Sequence, residues 1–162
     1  MNPLQALFEA GLPEMDIGVM SHGFADHGRD YIFILEDSIS NRAGTYRLTF
    51  THVVQLSIQT AVAPETWTSS WSDNFIDYQQ WEAAGEPDGY VFGANWSLAY
   101  PGFTVIDDHP LALEWASKLN RPMFAASLET DRFNLTLVFH DAHLEHSSHD
   151  TPTVSRVIIP LK

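Results

Sequence analysis

The sequence predicts an α+β fold in one domain, 1–162. A mainly antiparallel sheet curls into a half-barrel or sandwich, with two or three helices set into it. Three observations predict this. From Tyr46 to Ile58 the even-numbered residues Tyr46, Leu48, Phe50, His52, Val54, Leu56 and Ile58 alternate with a mostly polar set. That period of two marks a half-buried antiparallel strand. Turn signals, "DHGRD" at 26–30 and "ETDR" at 129–132, sit between alternating runs and read as hairpins. The element order is helix, strands, helices, strands, without the βαβ alternation of a parallel sheet. A chain of 162 residues with 44% hydrophobic content has the material for one real core.

Residues 3–11 read as a short helix ended by Gly11 and Pro13. Met20, His22 and Phe24 alternate before the 26–30 turn, and Tyr31, Phe33 and Leu35 after it. If that turn closes a hairpin, Phe24 faces Tyr31 and His22 faces Phe33. If 38–44 closes the next, Phe33 faces Phe50 and Tyr31 faces His52. All apolar faces then agree, as a single buried face requires, and His22 and His52 fall on the core face. The strand through 46–59 is long enough that a bend or bulge is expected within it. A helix is expected over 70–84, with Trp71, Phe75 and Tyr78 as its apolar stripe and Gly85 as its stop. Residues 86–106 read as irregular, with "EPDG" and "YPG" turns and a short strand at 89–94. A second long helix spans 109–119, capped by Asp107 or Asp108, with Pro110 in its first turn and Asn120 and Pro122 at its end. Strands at 122–129, 132–144 and 153–161 close the chain.

Lys and Arg number 8 against 21 Asp and Glu, a formal charge of −13. Nucleic-acid affinity starts from phosphate neutralisation, so this balance argues against nucleic acid as a partner and against anionic membrane surfaces. It favours solubility, and a basic protein partner steered by charge. No apolar run is long enough to span a membrane as a helix. The N-terminal residues lack the pattern of a signal peptide. There is no cysteine, so no disulfide framework and no thiolate zinc site, which fits a cytoplasmic protein. Folding needs no metal or cofactor. Composition leaves the oligomeric state open.

The run "FHDAHLEHSSHD" at 139–150 carries His140, His143, His146 and His149 at every third position. On an extended chain His140 and His146 point one way and His143 and His149 the other, so the run is not a ready-made cluster. His140, His146 and His143 are the metal candidates, with weak zinc or nickel binding the expected strength. Asp141 continues the face of Phe133, Leu135, Leu137 and Phe139. At the end of the core face it would hold the imidazole of His52 or His22 in one tautomer, an arrangement that serves a general base and equally a buried structural pair. His52, Asp141 and His22 are therefore the catalytic candidates. His22 and His52, two strands apart with a two-residue offset, would sit roughly 12 Å apart. No nucleophile elbow, H-E-x-x-H, P-loop or G-x-G-x-x-G is present.

Asp73 and Asp77 lie four apart on the expected helix, and Ser70–Asp73 reads as a capping box. Asp26, His27 and Asp30 flank a hairpin tip and read as solvated. Trp67, Trp71, Trp81, Trp96 and Trp115 suit a ligand cleft, although core packing is the commoner use of such residues. "NWS" and "NLT" match glycosylation sequons, which carry no weight without a secretory signal.

The segments "SHGFADHGRDYIF", "YRLTFTHV", "SWSDNFIDYQQWEAAGEPDGYVFGANW", "AYPGF" and "LETDRFNLTLVFHDAHLE" together resemble the bacterial YxiG-like proteins over most of 20–145. His22, His52, His140 and Asp141 fall inside the matching segments. His143, His146 and His149 fall at or beyond their edge. The resemblance implies no catalytic residues. By the association of the family's namesake with a contact-dependent toxin locus, it implies an immunity or toxin-neutralising role. Three functional readings follow. The first is an acidic binding protein, immunity-like, directed at a basic protein partner such as a nuclease. The second is a metal-assisted hydrolase using His52 or His22 with His140 and Asp141. The third is a small-ligand pocket lined by aromatic residues inside the curled sheet.

Overall fold

A computed structural model describes residues 1–38, 43–70, 78–86 and 96–147. Residues 71–77 of the expected long helix, the strands expected at 89–94 and 153–161, and Trp71, Asp73, Asp77 and His149 lie outside these residues. The elements in chain order are α1 (Pro3–Glu9), β1 (Ile17–Ala25), β2 (Asp30–Asp37), β3 (Gly44–Thr51), β4 (Gln55–Thr60), α2 (Pro64–Ser70), α3 (Tyr78–Ala83), β5 (Ser97–Ile106), α4 (Pro110–Leu119), β6 (Phe124–Thr130), β7 (Phe133–Phe139) and β8 (Asp141–His146). The strands form one antiparallel sheet in the order β4-β7-β6-β5-β1-β2-β3-β8. Among the described residues no helix is long and apolar enough to cross a membrane.

The hydrogen-bonded order is open, yet its two ends lie on the same pair of bent strands. β3 runs on into β4 through residues 52–54, and β7 into β8 through His140. Thr51 pairs with Asp141 on one side of the bend and Gln55 with Val138 on the other. The ladder does not break there. The His140 amide donates to the Thr51 carbonyl and the Val54 amide to the Val138 carbonyl, both at 3.0 Å. The sheet therefore curls around a core of Phe33, Leu35, Leu48, Phe50, Leu137 and Phe139. Helix α1 lies against β8 and buries Leu4 in that core. Asn2 fixes its start: the side-chain oxygen accepts from the Leu4 amide at 3.0 Å, and the side-chain nitrogen donates to the Ala125 carbonyl at 3.1 Å. Helix α4 packs on the opposite face, with Ala112 against Met123, Ala125 and Val138.

The first hairpin has the expected register, with His22 opposite Phe33 and Phe24 opposite Tyr31. The second is shifted by two residues: Tyr31 faces Phe50 and Phe33 faces Leu48. A shift of two keeps every side chain on its own face, so alternation alone does not detect it. The bends account for two further corrections. Core positions run Leu48, Phe50, Val53 and Leu56 along β3–β4, and Leu137, Phe139, Ala142 and Leu144 along β7–β8. Each step of three takes the next residue off the core face. His52 is therefore exposed rather than buried, and Ala142 takes the core position expected for Asp141.

Two expectations outside the bends also change. Residues 97–106 form β5, where the sequence reads as irregular. Pro101 and Gly102 do not end the strand but make a bulge between Ala99 and Gly102. Gly102 has φ +98, and a Cβ there would lie 2.0 Å from the Glu14 carbonyl oxygen. That same oxygen accepts from the Phe103 amide at 2.7 Å. The N-cap of α4 is His109, which makes no side-chain capping bond, rather than Asp107 or Asp108. Asn120 ends α4 in the left-handed conformation, as its position predicts.

Candidate functional site

All three amides of the β3–β4 bend have acceptors. The His52 amide donates to Asp30 Oδ1 at 3.1 Å, the Val53 amide to the Arg29 carbonyl at 2.8 Å, and the Val54 amide to Val138. Asp30 is buried rather than solvated, because it also accepts from Arg29 Nε and Nη2 at 2.9 and 2.8 Å. The tip of the β1–β2 hairpin thus clamps the bend. His52 has φ +50, a region that histidine enters more readily than most residues. Held there, its ring turns outward.

The second imidazole comes from the matching bend. His140 Nδ1 lies 2.7 Å from the Pro122 carbonyl oxygen. A carbonyl only accepts, so Nδ1 carries the proton, and in the neutral ring Nε2 is left with its lone pair. The rings of His52 and His140 have centres 5.9 Å apart and planes at 85°. They share a cleft of about 320 Å³ with Leu119, Arg121 and Met123, at the end of α4 and the start of β6. Sequence reasoning missed those three, because neither periodicity nor motif links 119–123 to either bend.

The other histidines stand apart. His22 packs in the aromatic cluster, its ring 4.4 Å from that of Phe133 and 5.8 Å from that of Phe33. Its Nδ1 lies 2.6 Å from the Tyr31 hydroxyl. Burial pushes the Tyr31 phenol up to about 12, so the hydroxyl keeps its proton and donates. Burial also lowers His22 below the ordinary histidine value. The result is a neutral imidazole serving the core. Asp141 turns back on its own strand: its Oδ1 accepts from the Ala142 amide at 2.8 Å, and its Oδ2 lies 3.4 Å from His143 Nε2. His146 packs against Tyr46, ring centres 5.3 Å apart. Of the candidates His22, His52, His140, Asp141, His143 and His146, the structure brings together only His52 and His140 as imidazoles over one cleft. Among the described residues no group of three His, Asp or Glu side chains is placed to hold a metal. Of the tryptophans proposed for a ligand cleft, Trp67 and Trp96 are exposed, and Trp115 packs against the cluster of Ala112, Met123, Ala125 and Val138.

A second depression lies between α1 and β5. Phe8, Phe103 and Val105 contribute apolar surface, and Glu9, Glu14 and Asp107 line it with them, in a volume of about 480 Å³. Its charged side chains are acidic, and the lining also includes Met1, which carries the N-terminal ammonium. These residues are far apart in sequence, which hid the grouping. Elsewhere Arg29 binds Asp30, and Lys118 binds Glu114 within α4.

A family model described as YxiG-like protein matches residues 2–155. No curated protein and no solved structure matches the chain.

Proposed function

The chain belongs to the YxiG-like family, and on that footing we propose that it is a bacterial, cytoplasmic binding protein that takes a basic protein partner. The form of partner that suits an immunity-like role is a basic enzyme, such as a nuclease, neutralised by contact. The observation that carries this reading is the depression between α1 and β5, whose lining combines apolar Phe8, Phe103 and Val105 with acidic Glu9, Glu14 and Asp107. Apolar surface beside carboxylates suits a partner segment that brings apolar and basic groups together. A formal charge of −13 extends that field beyond the contact and speeds encounter. The cysteine-free composition supports a reducing compartment.

Fluorescence anisotropy tests the reading, using a labelled peptide of alternating Lys and Leu beside the same peptide with Glu for Lys. The basic peptide binds and the acidic one does not. Raising salt from about 50 to about 500 mM weakens binding, because the screening length falls severalfold. The triple variant Glu9→Gln, Glu14→Gln, Asp107→Asn weakens it about tenfold, since exposed ion pairs each contribute a fraction of a kcal/mol. Equal binding of both peptides, or an unchanged affinity in the triple variant, would sink the proposal.

A further inference from the structure

The geometry points to a divalent transition-metal site at the sheet corner, with His52 and His140 as its two protein ligands and water in the remaining positions. It uses different residues from the acidic depression and does not depend on that reading.

The ring separation supports it. A metal held at about 2.0–2.1 Å from an imidazole nitrogen lies about 3.2 Å from the ring centre. Two rings on one metal then have centres about 4.5 Å apart at a right-angled bite and about 6.4 Å apart at a linear one. The observed 5.9 Å falls in that window, at a bite of roughly 135°. A tetrahedral bite needs about 5.2 Å, a small rotation for the exposed His52 side chain.

Ring orientation supplies a second argument. A metal-bound histidine normally donates its other ring N–H to a carboxylate or a backbone carbonyl, which fixes its tautomer. His140 already makes that bond to Pro122, so Nε2 is the nitrogen left for a metal. Among the described residues the His52 ring has no hydrogen-bond partner, while its backbone is held by buried Asp30. One ligand is thus oriented through its ring and the other through its backbone, on paired strands.

Two charges act on the site in opposite directions. The carbonyl end of α4 reaches the cleft at Leu119, and a helix C-terminus favours a cation. Arg121 lines the same cleft and opposes one. With imidazole ligands only, the ions favoured are zinc, nickel and copper rather than magnesium or calcium.

The test is calorimetric titration of the tag-free, full-length chain, stripped with chelator, using zinc chloride and then nickel chloride. One equivalent binds ahead of any weaker sites. His52→Asn, which tolerates the same left-handed backbone, and His140→Gln each lower the association constant at least tenfold, with circular dichroism confirming that both variants fold. The double variant His143→Ala, His146→Ala leaves it within about twofold, and Arg121→Gln raises it at least twofold. Binding that survives in both His52→Asn and His140→Gln, or that disappears in the His143/His146 variant, overturns the assignment. So does weaker binding in Arg121→Gln, since removing a like charge beside these two ligands should strengthen metal binding there.

Discussion

Replacing Tyr31 with Phe deletes one oxygen from the core and leaves the ring in place. Tyr31 is 4% exposed, and its hydroxyl is 2.6 Å from His22 Nδ1. The variant leaves Nδ1 half-buried without that donor. A lost hydrogen bond with one partner left behind costs about 1–3 kcal/mol, and about 1–2 is expected here because His22 is only half-buried. The pH dependence is the more specific readout. Burial holds folded His22 below the unfolded value of 6.5. Between those two values the unfolded chain binds more protons than the native one. Stability from this group is therefore fully present above pH 6.5 and is lost as pH falls through the folded value, with a slope of up to about 1.4 kcal/mol per pH unit. The Tyr31 hydroxyl favours the neutral ring, so removing it lets His22 protonate more easily and moves its pKa back towards 6.5. Urea unfolding at several pH values and an NMR titration of the His22 ring measure both effects. The reasoning fails if the variant loses less than about 0.3 kcal/mol, or if His22 in the parent protein titrates at or above 6.5.

Other changes test the fold around the sites. Gly102→Ala puts a Cβ 2.0 Å from the Glu14 oxygen at φ +98, so urea unfolding reports a loss of about 2–4 kcal/mol. Asp30→Ala takes the acceptor from the His52 amide and costs about 2–3 kcal/mol; amide exchange at His52 and Val53 rises with it. Thr130→Ala removes a side chain that accepts from the Arg132 and Phe133 amides and donates to the Phe133 carbonyl. Thermal unfolding then shows a loss of about 1–3 kcal/mol, as for other turn and cap hydrogen bonds.

Most of the sheet is legible because a half-buried strand writes its burial into sequence with a period of two. β1, β2 and β3, and the β6–β7 turn at Thr130–Phe133, are all readable on that basis. The register of β2 on β3 is not, since Tyr31 opposite Phe50 and Tyr31 opposite His52 satisfy the same face rule. β5 is hidden by Pro101 and Gly102, which punctuate chains far more often than they bulge them. The cap on α4 is obscured because two aspartates precede it, while the chain puts His109 at that place. At the corner, sequence reasoning reaches His140 through the histidine run, and reaches His52 for a reason the structure overturns. It extends an alternation that in fact stops there.

The stop is what makes the pair. In an unbroken strand a histidine at position 52 would follow Phe50 into the core, where an imidazole needs hydrogen bonds for both nitrogens or suffers desolvation. The bend spares it that, because the core contact passes to Val53 and the His52 amide goes to Asp30. On the partner strand Ala142 follows Phe139 in the core, and His140 is left on the side of Pro122. β3–β4 gains one residue on β7–β8 across the corner, since Thr51 to Gln55 spans four steps against three from Val138 to Asp141. An extra residue on one strand twists the pair sharply, and that twist carries two neighbouring strands to opposite ends of the sheet order. The deformation that curls the sheet also ejects one side chain from each strand at the same point. The architecture and the histidine pair are consequences of one irregularity.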